Sequence, residues 1–238
     1  MMGFGPPDVV SFVNDTMNVC RRCLEAGDPW KARLAASSAA MHCHSILQEQ
    51  RADLTGDEKS AVLLLGILSA AYRDFADCFE LLKKRALKHK EVEQLWTRLI
   101  DCQERTEAVQ GLLGGPGLDW LVAQASGAYD HFVRQFGPGE HFFSPIIIVK
   151  RESCSICGKD LRGCPHRAGV IYDGKRCRGV VEDMEMRSCD LVRVPRDRRC
   201  RVWPWNFDEK SKQFSAAVFT MFDTDDLNDP RERLKDKP

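Results

Sequence analysis

Between residues 154 and 166 the chain reads Cys154-Ser155-Ile156-Cys157-Gly158-Lys159, then Cys164-Pro165-His166. Written as spacing, this is C-x2-C-x6-C-x-H. Two thiolates two residues apart can grip one ion from a tight turn. The glycine after the second cysteine frees the backbone to bring amide N–H groups toward the sulfurs. Cys164 and His166 can close the other half of a tetrahedron. Three thiolates and an imidazole form a soft donor set, which suits one structural Zn2+ better than a hard cation. The competing readings are four unconnected residues, or a redox pair at Cys154 and Cys157. The redox pair lacks a βαβ context and ignores two further donors nearby. Cys177 is a fifth candidate, because a hairpin at Asp173-Gly174 would fold it back toward the ion. If it binds, His166 is the residue it displaces.

A catalytic zinc keeps one position open for water and a carboxylate at hand. Here four donors fall within 13 residues, which points to a closed, structural site. Neither H-E-x-x-H nor the deaminase pattern H-x-E with P-C-x-x-C occurs.

The C-x2-C-G knuckle followed by two later donors resembles the zinc-knuckle and treble-clef families. That resemblance spans about 15 residues and implies a small structural zinc module with no particular activity. A fainter likeness follows. Tyr172-Asp173-Gly174, then Ser188-Cys189-Asp190-Leu191-Val192-Arg193-Val194-Pro195, resembles the final strands of phage prohead-protease β domains. No His and Ser pair stands upstream to match that family's catalytic residues, so protease activity is not carried over.

The rest of the chain divides into two textures. Residues 1–150 carry 16 basic against 19 acidic residues, and residues 151–205 carry 13 against 8. The whole chain balances at 35 against 35, so no global field pulls it toward nucleic acid or an anionic membrane. The longest apolar run, Ala61 to Ala71, is broken by Gly66 and Ser69 and falls far short of the roughly 20 residues a bilayer needs. Met1 to Pro7 has no basic leader pattern. The 11 cysteines, an odd number, fit a reducing, cytoplasmic setting.

The first texture is helical. Val9, Val13, Met17, Cys20 and Leu24 recur at helical spacing, and Gly27 stops the run. Asp28-Pro29 reads as an N-cap and first-turn proline of a second helix, with Trp30, Leu34, Met41 and Leu47 as its larger apolar residues. Thr55 and Glu58 read as a capping box for a third helix. Its apolar set is Val62, Leu65, Leu68, Tyr72, Phe75, Phe79 and Leu82, with Leu63, Leu64 and Ile67 implying burial on more than one side. Val92, Leu95, Trp96, Leu99, Ile100 and Cys102 mark a fourth helix. The Gly114–Gly117 break precedes a fifth, carrying Leu118, Leu121, Ala125, Tyr129, Phe132 and Phe136. Five helices joined by short turns fit an antiparallel bundle.

The second texture is rich in Val, Ile, Cys, Arg and Gly. Ile146 to Val149, Val170 to Tyr172, Arg178 to Val181 and Leu191 to Val194 read as four short strands, with Asp173-Gly174 as a tight hairpin turn. Phe214, Ala217, Val218 and Met221 return to helical spacing, and residues 223–238 read as a charged, mobile tail. Arg193 to Arg201, with Trp203 and Trp205 beyond, form a basic stripe beside aromatics. Arg196, Arg198, Arg199 and Arg201 are its candidates for phosphate or partner contact. Solvated arginines and core tryptophans are the plainer reading of the same stripe. His42 and His44 stand two apart on a helix and do not share a face. Cys20 and Cys23 read as helix packing.

The expected architecture is α+β. An N-terminal antiparallel helical bundle (1–137) is followed by a small zinc-stapled, β-rich module (138–222) and the tail (223–238). The expected function is a non-enzymatic, zinc-binding adaptor or regulatory subunit with a protein partner. Nucleic-acid binding through Arg193 to Arg201 is the alternative, a hydrolase with catalytic residues dispersed in sequence is a third class, and a membrane is not expected.

Overall fold

A computed structural model describes residues 6–49, 51–113, 115–137, 141–203, 207–208 and 213–214. Among the described residues the chain is an α+β protein of five α-helices followed by antiparallel strand pairs. The described residues of 6–54 and 61–136 form one compact unit. Those of 55–60 and 137–214 form a second, so the second unit also takes in six residues from the N-terminal half.

The helices are α1 (Pro6–Glu25), α2 (Pro29–Glu49), α3 (Gly56–Leu82), α4 (His89–Gln110) and α5 (Pro116–Phe136). Their ends follow local chemistry. Gly27 takes φ +76°, a left-handed turn that ends α1 at little steric cost. Asp28 Oδ1 accepts from the Lys31 amide at 3.1 Å, capping α2. Thr55 Oγ1 accepts from the Glu58 amide at 3.3 Å while Glu58 Oε2 accepts from the Thr55 amide at 2.7 Å, a reciprocal cap. Pro116 opens α5, where its missing N–H is not needed.

Tyr72, Leu95, Trp96, Leu99, Ile100, Leu121 and Phe132 are fully buried. The Trp96 ring meets Phe132 at 5.2 Å and Tyr129 at 5.8 Å. Trp120 stacks on Tyr72 at 6.1 Å and meets Phe75 edge-on at 6.2 Å. The Tyr72 hydroxyl donates to the Gly117 carbonyl at 2.7 Å, so its polar end is satisfied where its ring is buried. Leu64 and Leu65 are both buried on α3, as expected of a helix covered on more than one side.

The expected inner face of α2 is corrected. Trp30, Leu34 and Met41 are 63%, 56% and 47% exposed, whereas Ala32, Ala36, Ala39, Ala40, Cys43 and Ile46 are buried. Ala32 and Ala36 lie against Cys20 of α1 and Cys43 lies against Gly66 of α3, because short side chains let two helix backbones approach closely. Size was a misleading guide to which face turned inward.

An ion network lies inside the same unit, and sequence reading missed it. Asp74 is fully buried and accepts from Arg105 Nε at 2.8 Å, Arg73 Nη2 at 3.2 Å and Arg98 Nη1 at 3.5 Å. Arg98 also reaches Asp77 at 3.6 Å, and Arg33 reaches Asp77 at 3.2 Å. Burial pushes the Asp77 carboxyl above its ordinary range despite the nearby Arg33 and Arg98 guanidinium groups. A signal existed: Arg105 stands three residues after Cys102 and four before Val109, within an apolar stripe. Asp74 stands likewise between Ala71 and Cys78.

In the second unit, β1 (Phe142–Cys154) and β4 (Gly179–Val192) form a long antiparallel ribbon. The pairing runs from Phe142↔Val192 to Cys154↔Gly179, with irregularities between Ile146 and Ile147 and around Arg151. A short hairpin, β2 (Ile171–Tyr172) with β3 (Lys175–Arg176), precedes β4. Asp173 and Gly174 both have positive φ, 48° and 69°, as a tight hairpin turn of this kind requires. A last pair joins β5 (Phe207–Asp208) to β6 (Gln213–Phe214).

Two strand expectations are corrected. Arg178–Val181 and Leu191–Val194 were read as separate strands, yet Gly179 to Val192 is one strand that continues through Glu182, Asp183 and Glu185. No residue of it is buried, so its charges need no alternation with an apolar face. Phe214, expected on a helix, pairs with Phe207 in a strand. Ala217, Val218, Met221 and the 223–238 tail lie outside the described residues.

Candidate metal centre

The end of the ribbon builds the site. β1 delivers Cys154, and its partner strand begins two residues after Cys177. The Cys154 amide donates to the Lys159 carbonyl and the Gly158 amide to the Cys154 carbonyl, both at 2.8 Å, closing a tight turn over Cys154–Gly158. Gly158 sits at φ +70°, a conformation that a residue with a Cβ rarely adopts. The turn is tied to the opposite strand by the Ser155 amide donating to the Arg178 carbonyl and the Arg178 amide donating to Ser155 Oγ, each at 2.9 Å. Asp160 caps a 3-10 turn, Leu161–Gly163, that leads to Cys164.

Cys154, Cys157, Cys164 and His166 each offer one ligand atom within 4.8 Å of the others. Among the described residues this is the one group of its kind. The four residues can hold a metal ion. Cys154 is buried, Cys164 and His166 are half-buried, and Cys157 is exposed. His166 Nδ1 is buried and finds no hydrogen-bond partner among the described residues, while its ring meets Tyr172 edge-on at 4.7 Å. A buried imidazole nitrogen without a partner is costly unless it binds something.

Cys177 is fully buried, and its sulfur lies 3.7 Å from that of Cys154. It is held there by the Cys177 amide donating to Val170 and the Gly169 amide donating to the Cys177 carbonyl, each at 2.8 Å. Cys177 thus stands beside the four-donor cluster, against Cys154.

Electrostatics separate the thiols: burial pushes Cys164 and Cys177 up, whereas Cys154 is brought down. Burial alone would push the Cys154 thiol up. Amide N–H groups of Cys157 and Ile156, with hydrogen bonds from the Cys177 and Cys157 thiols, outweigh it and bring Cys154 down to about 6. The Ile156 amide lies 3.4 Å from the sulfur. Burial, then the neighbouring Cys154 sulfur, push Cys177 up to about 11. Cys20 and Cys43 are driven up to about 12 by burial, which makes them inert packing residues.

The basic stripe is not one continuous surface. Arg201 is buried, bridges to Phe142 and lies 4.5 Å over the ring of the buried Trp203. Arg199 Nη1 pairs with Asp197 Oδ1 at 3.0 Å. Arg198 is half-buried and Arg196 exposed. Trp205 lies outside the described residues. His42 meets Phe12 ring to ring at 4.9 Å, and Cys20 donates to the Ala32 carbonyl at 3.4 Å. Among the described residues no helix is long and apolar enough to cross a membrane.

No protein-family model, curated protein or solved structure matches this chain.

Proposed function

We propose that the protein is a non-enzymatic, zinc-binding interaction protein, an adaptor or regulatory subunit that docks a protein partner. The observation that carries this reading is the outward apolar face of α2. Trp30, Leu34 and Met41 share one side of that helix at helical spacing and are largely exposed. Exposed apolar groups of this size, gathered on one face, mark interaction surfaces. Trp is also the side chain most enriched at binding hot spots.

The zinc part of the reading rests on the donor set. Thiolates with an imidazole favour Zn2+ over hard cations. Four protein donors fill a tetrahedron and leave no position for a substrate water, so the ion's role is to fix the end of the β1/β4 ribbon, as in zinc knuckles. Nucleic-acid binding through Arg196, Arg198, Arg199 and Arg201 has weaker support. Arg201 is buried against Trp203, and Arg199 is engaged by Asp197, so two of the four guanidinium groups are poorly placed to neutralise phosphates.

The test uses the full chain as bait in an extract of its source cell. Wild-type protein captures a discrete protein partner, and the Trp30→Ser/Leu34→Ser double variant loses it while its melting temperature holds. Exposed substitutions of this kind shift stability by only about 0.5 kcal/mol. Equal capture by both proteins would sink the reading. Elemental analysis of purified protein is expected to give one zinc per chain.

A further inference from the structure

Four donors cluster within 4.8 Å of one another, and a fifth, Cys177, stands 3.7 Å from the sulfur of one of them, Cys154. We propose that Cys177 is a ligand, completing a four-thiolate site with Cys154, Cys157 and Cys164. His166 then lies outside the coordination sphere and donates a hydrogen bond to a bound thiolate. This inference rests on the zinc reading above and names the ligands of that same site.

The first support is distance. Zinc–sulfur bonds of about 2.3 Å at tetrahedral angles place two bound sulfurs about 3.8 Å apart. The Cys154 and Cys177 sulfurs are 3.7 Å apart, against roughly 2.05 Å for a disulfide. Two sulfurs already stand on one edge of the required tetrahedron.

The second support is the way the two are held. Cys154 ends β1 and Cys177 precedes β4, so the register that pairs Cys154 with Gly179 fixes their separation. The backbone of Cys177 is pinned at both its amide and its carbonyl. Both side chains are buried. His166, like Cys177, lies outside the strands, and it is only half-buried. Of the five candidate donors, Cys154 and Cys177 are the buried ones.

The third is charge. A zinc ion with four thiolates carries a net charge of −2. Residues 154–178 hold six basic side chains (Lys159, Arg162, Arg167, Lys175, Arg176, Arg178) against two acidic ones, Asp160 and Asp173. The positive balance of the segment offsets that charge. The orphaned His166 nitrogen also finds a role: a ring N–H near bound sulfur can donate to it, and such outer hydrogen bonds orient and tune ligands. With His166 as the ligand instead, Cys177 would remain a buried, soft donor at tetrahedral-edge distance from a bound sulfur, yet unused.

X-ray absorption at the zinc edge, on the full wild-type chain, counts the donors without any variant. The expected result is four sulfurs at about 2.3 Å and no nitrogen at about 2.0–2.1 Å. Three sulfurs and one nitrogen would overturn the assignment. In variants, His166→Ala is expected to keep one zinc per chain, with affinity lowered by roughly 10–100-fold, as for other outer-shell losses. Cys177→Ser is expected to lower affinity further and to weaken the thiolate-to-metal charge-transfer band of the cobalt-substituted protein. An unchanged band in Cys177→Ser would also overturn the assignment. A wild-type chain that binds no zinc would sink the zinc reading itself, whereas a nitrogen in the shell would sink only this ligand set.

Discussion

The helical unit buries Trp96, Tyr72 and Phe132 completely, while β4 in the second unit has no buried residue along its 14 positions. The contrast is one of energy source. Aromatic and aliphatic burial at about 25 cal/mol per Å2 gives the helices a core of their own. A two-stranded ribbon is marginal in water, and this one has Ile146, Ile148, Met184 and Met186 exposed. Among the described residues, its end at Cys154 is the one place where Cys and His donors cluster. On this reading the bundle is held by its core and the ribbon by its ion.

The largest test of that division removes the ion. Chelation, or Cys157→Ser, is expected to abolish protection of the ribbon amides in hydrogen exchange while most far-ultraviolet helical signal stays. Structural zinc in small modules contributes on the order of 10–16 kcal/mol of apparent binding free energy, more than such a ribbon can replace. Loss of the helical signal in step with the metal would show one cooperative unit instead of two energy sources.

The converse experiment strikes the bundle. Asp74→Ala leaves Arg105 buried without its closest carboxylate, 2.8 Å away, and is expected to cost about 3–5 kcal/mol in denaturant unfolding of the helices. Zinc content at low denaturant is expected to stay at one per chain. Zinc loss in that variant would break the comparison.

A smaller effect sharpens the picture of α2. Ala36→Leu adds bulk to the face that meets α1 and is expected to cost about 1–3 kcal/mol by overpacking. Leu34→Ser, two positions away on the outer face, is expected to change melting by no more than about 0.5 kcal/mol. Equal losses would mean that the outer face is packed after all.

The smallest effect is electrostatic. Glu91 is held below its ordinary pKa by Lys84, at 2.7 Å, and by the Lys88 amide, at 2.9 Å. Because its folded value is lowered, its contribution is present above the ordinary glutamate range. It is lost as pH falls through the lowered value. Glu91→Gln should therefore lower the melting temperature slightly near neutral pH and not at all in strong acid, as a melting series across pH would record.

Local chemistry was readable where a few neighbouring residues decide the outcome. Asp28, Thr55 with Glu58, Gly27 and Asp173-Gly174 mark their caps and turns because each acts within four residues of itself. The C-x2-C-G turn belongs to the same class, since its spacing alone brings Cys154 and Cys157 together. The four clustered donors stood close in sequence for that reason. Cys177 could be suspected from the hairpin, but its 3.7 Å approach to Cys154 depends on the β1/β4 register, which joins residues far apart in the chain.

The sequence by itself determined the helix periods, the caps of α2 and α3, the hairpin turn and the spacing of the clustered Cys and His donors, because these are short-range consequences of backbone geometry and side-chain type. Only the tertiary structure decided which face of α2 turned inward, that Asp74 and Arg105 meet, that β4 runs unbroken through its charges, and that Arg201 leaves the surface for Trp203. Each of these depends on what the opposing segment supplies: small residues that permit close approach, a countercharge, a ladder partner or a ring face. No window along one strand or helix contains that information.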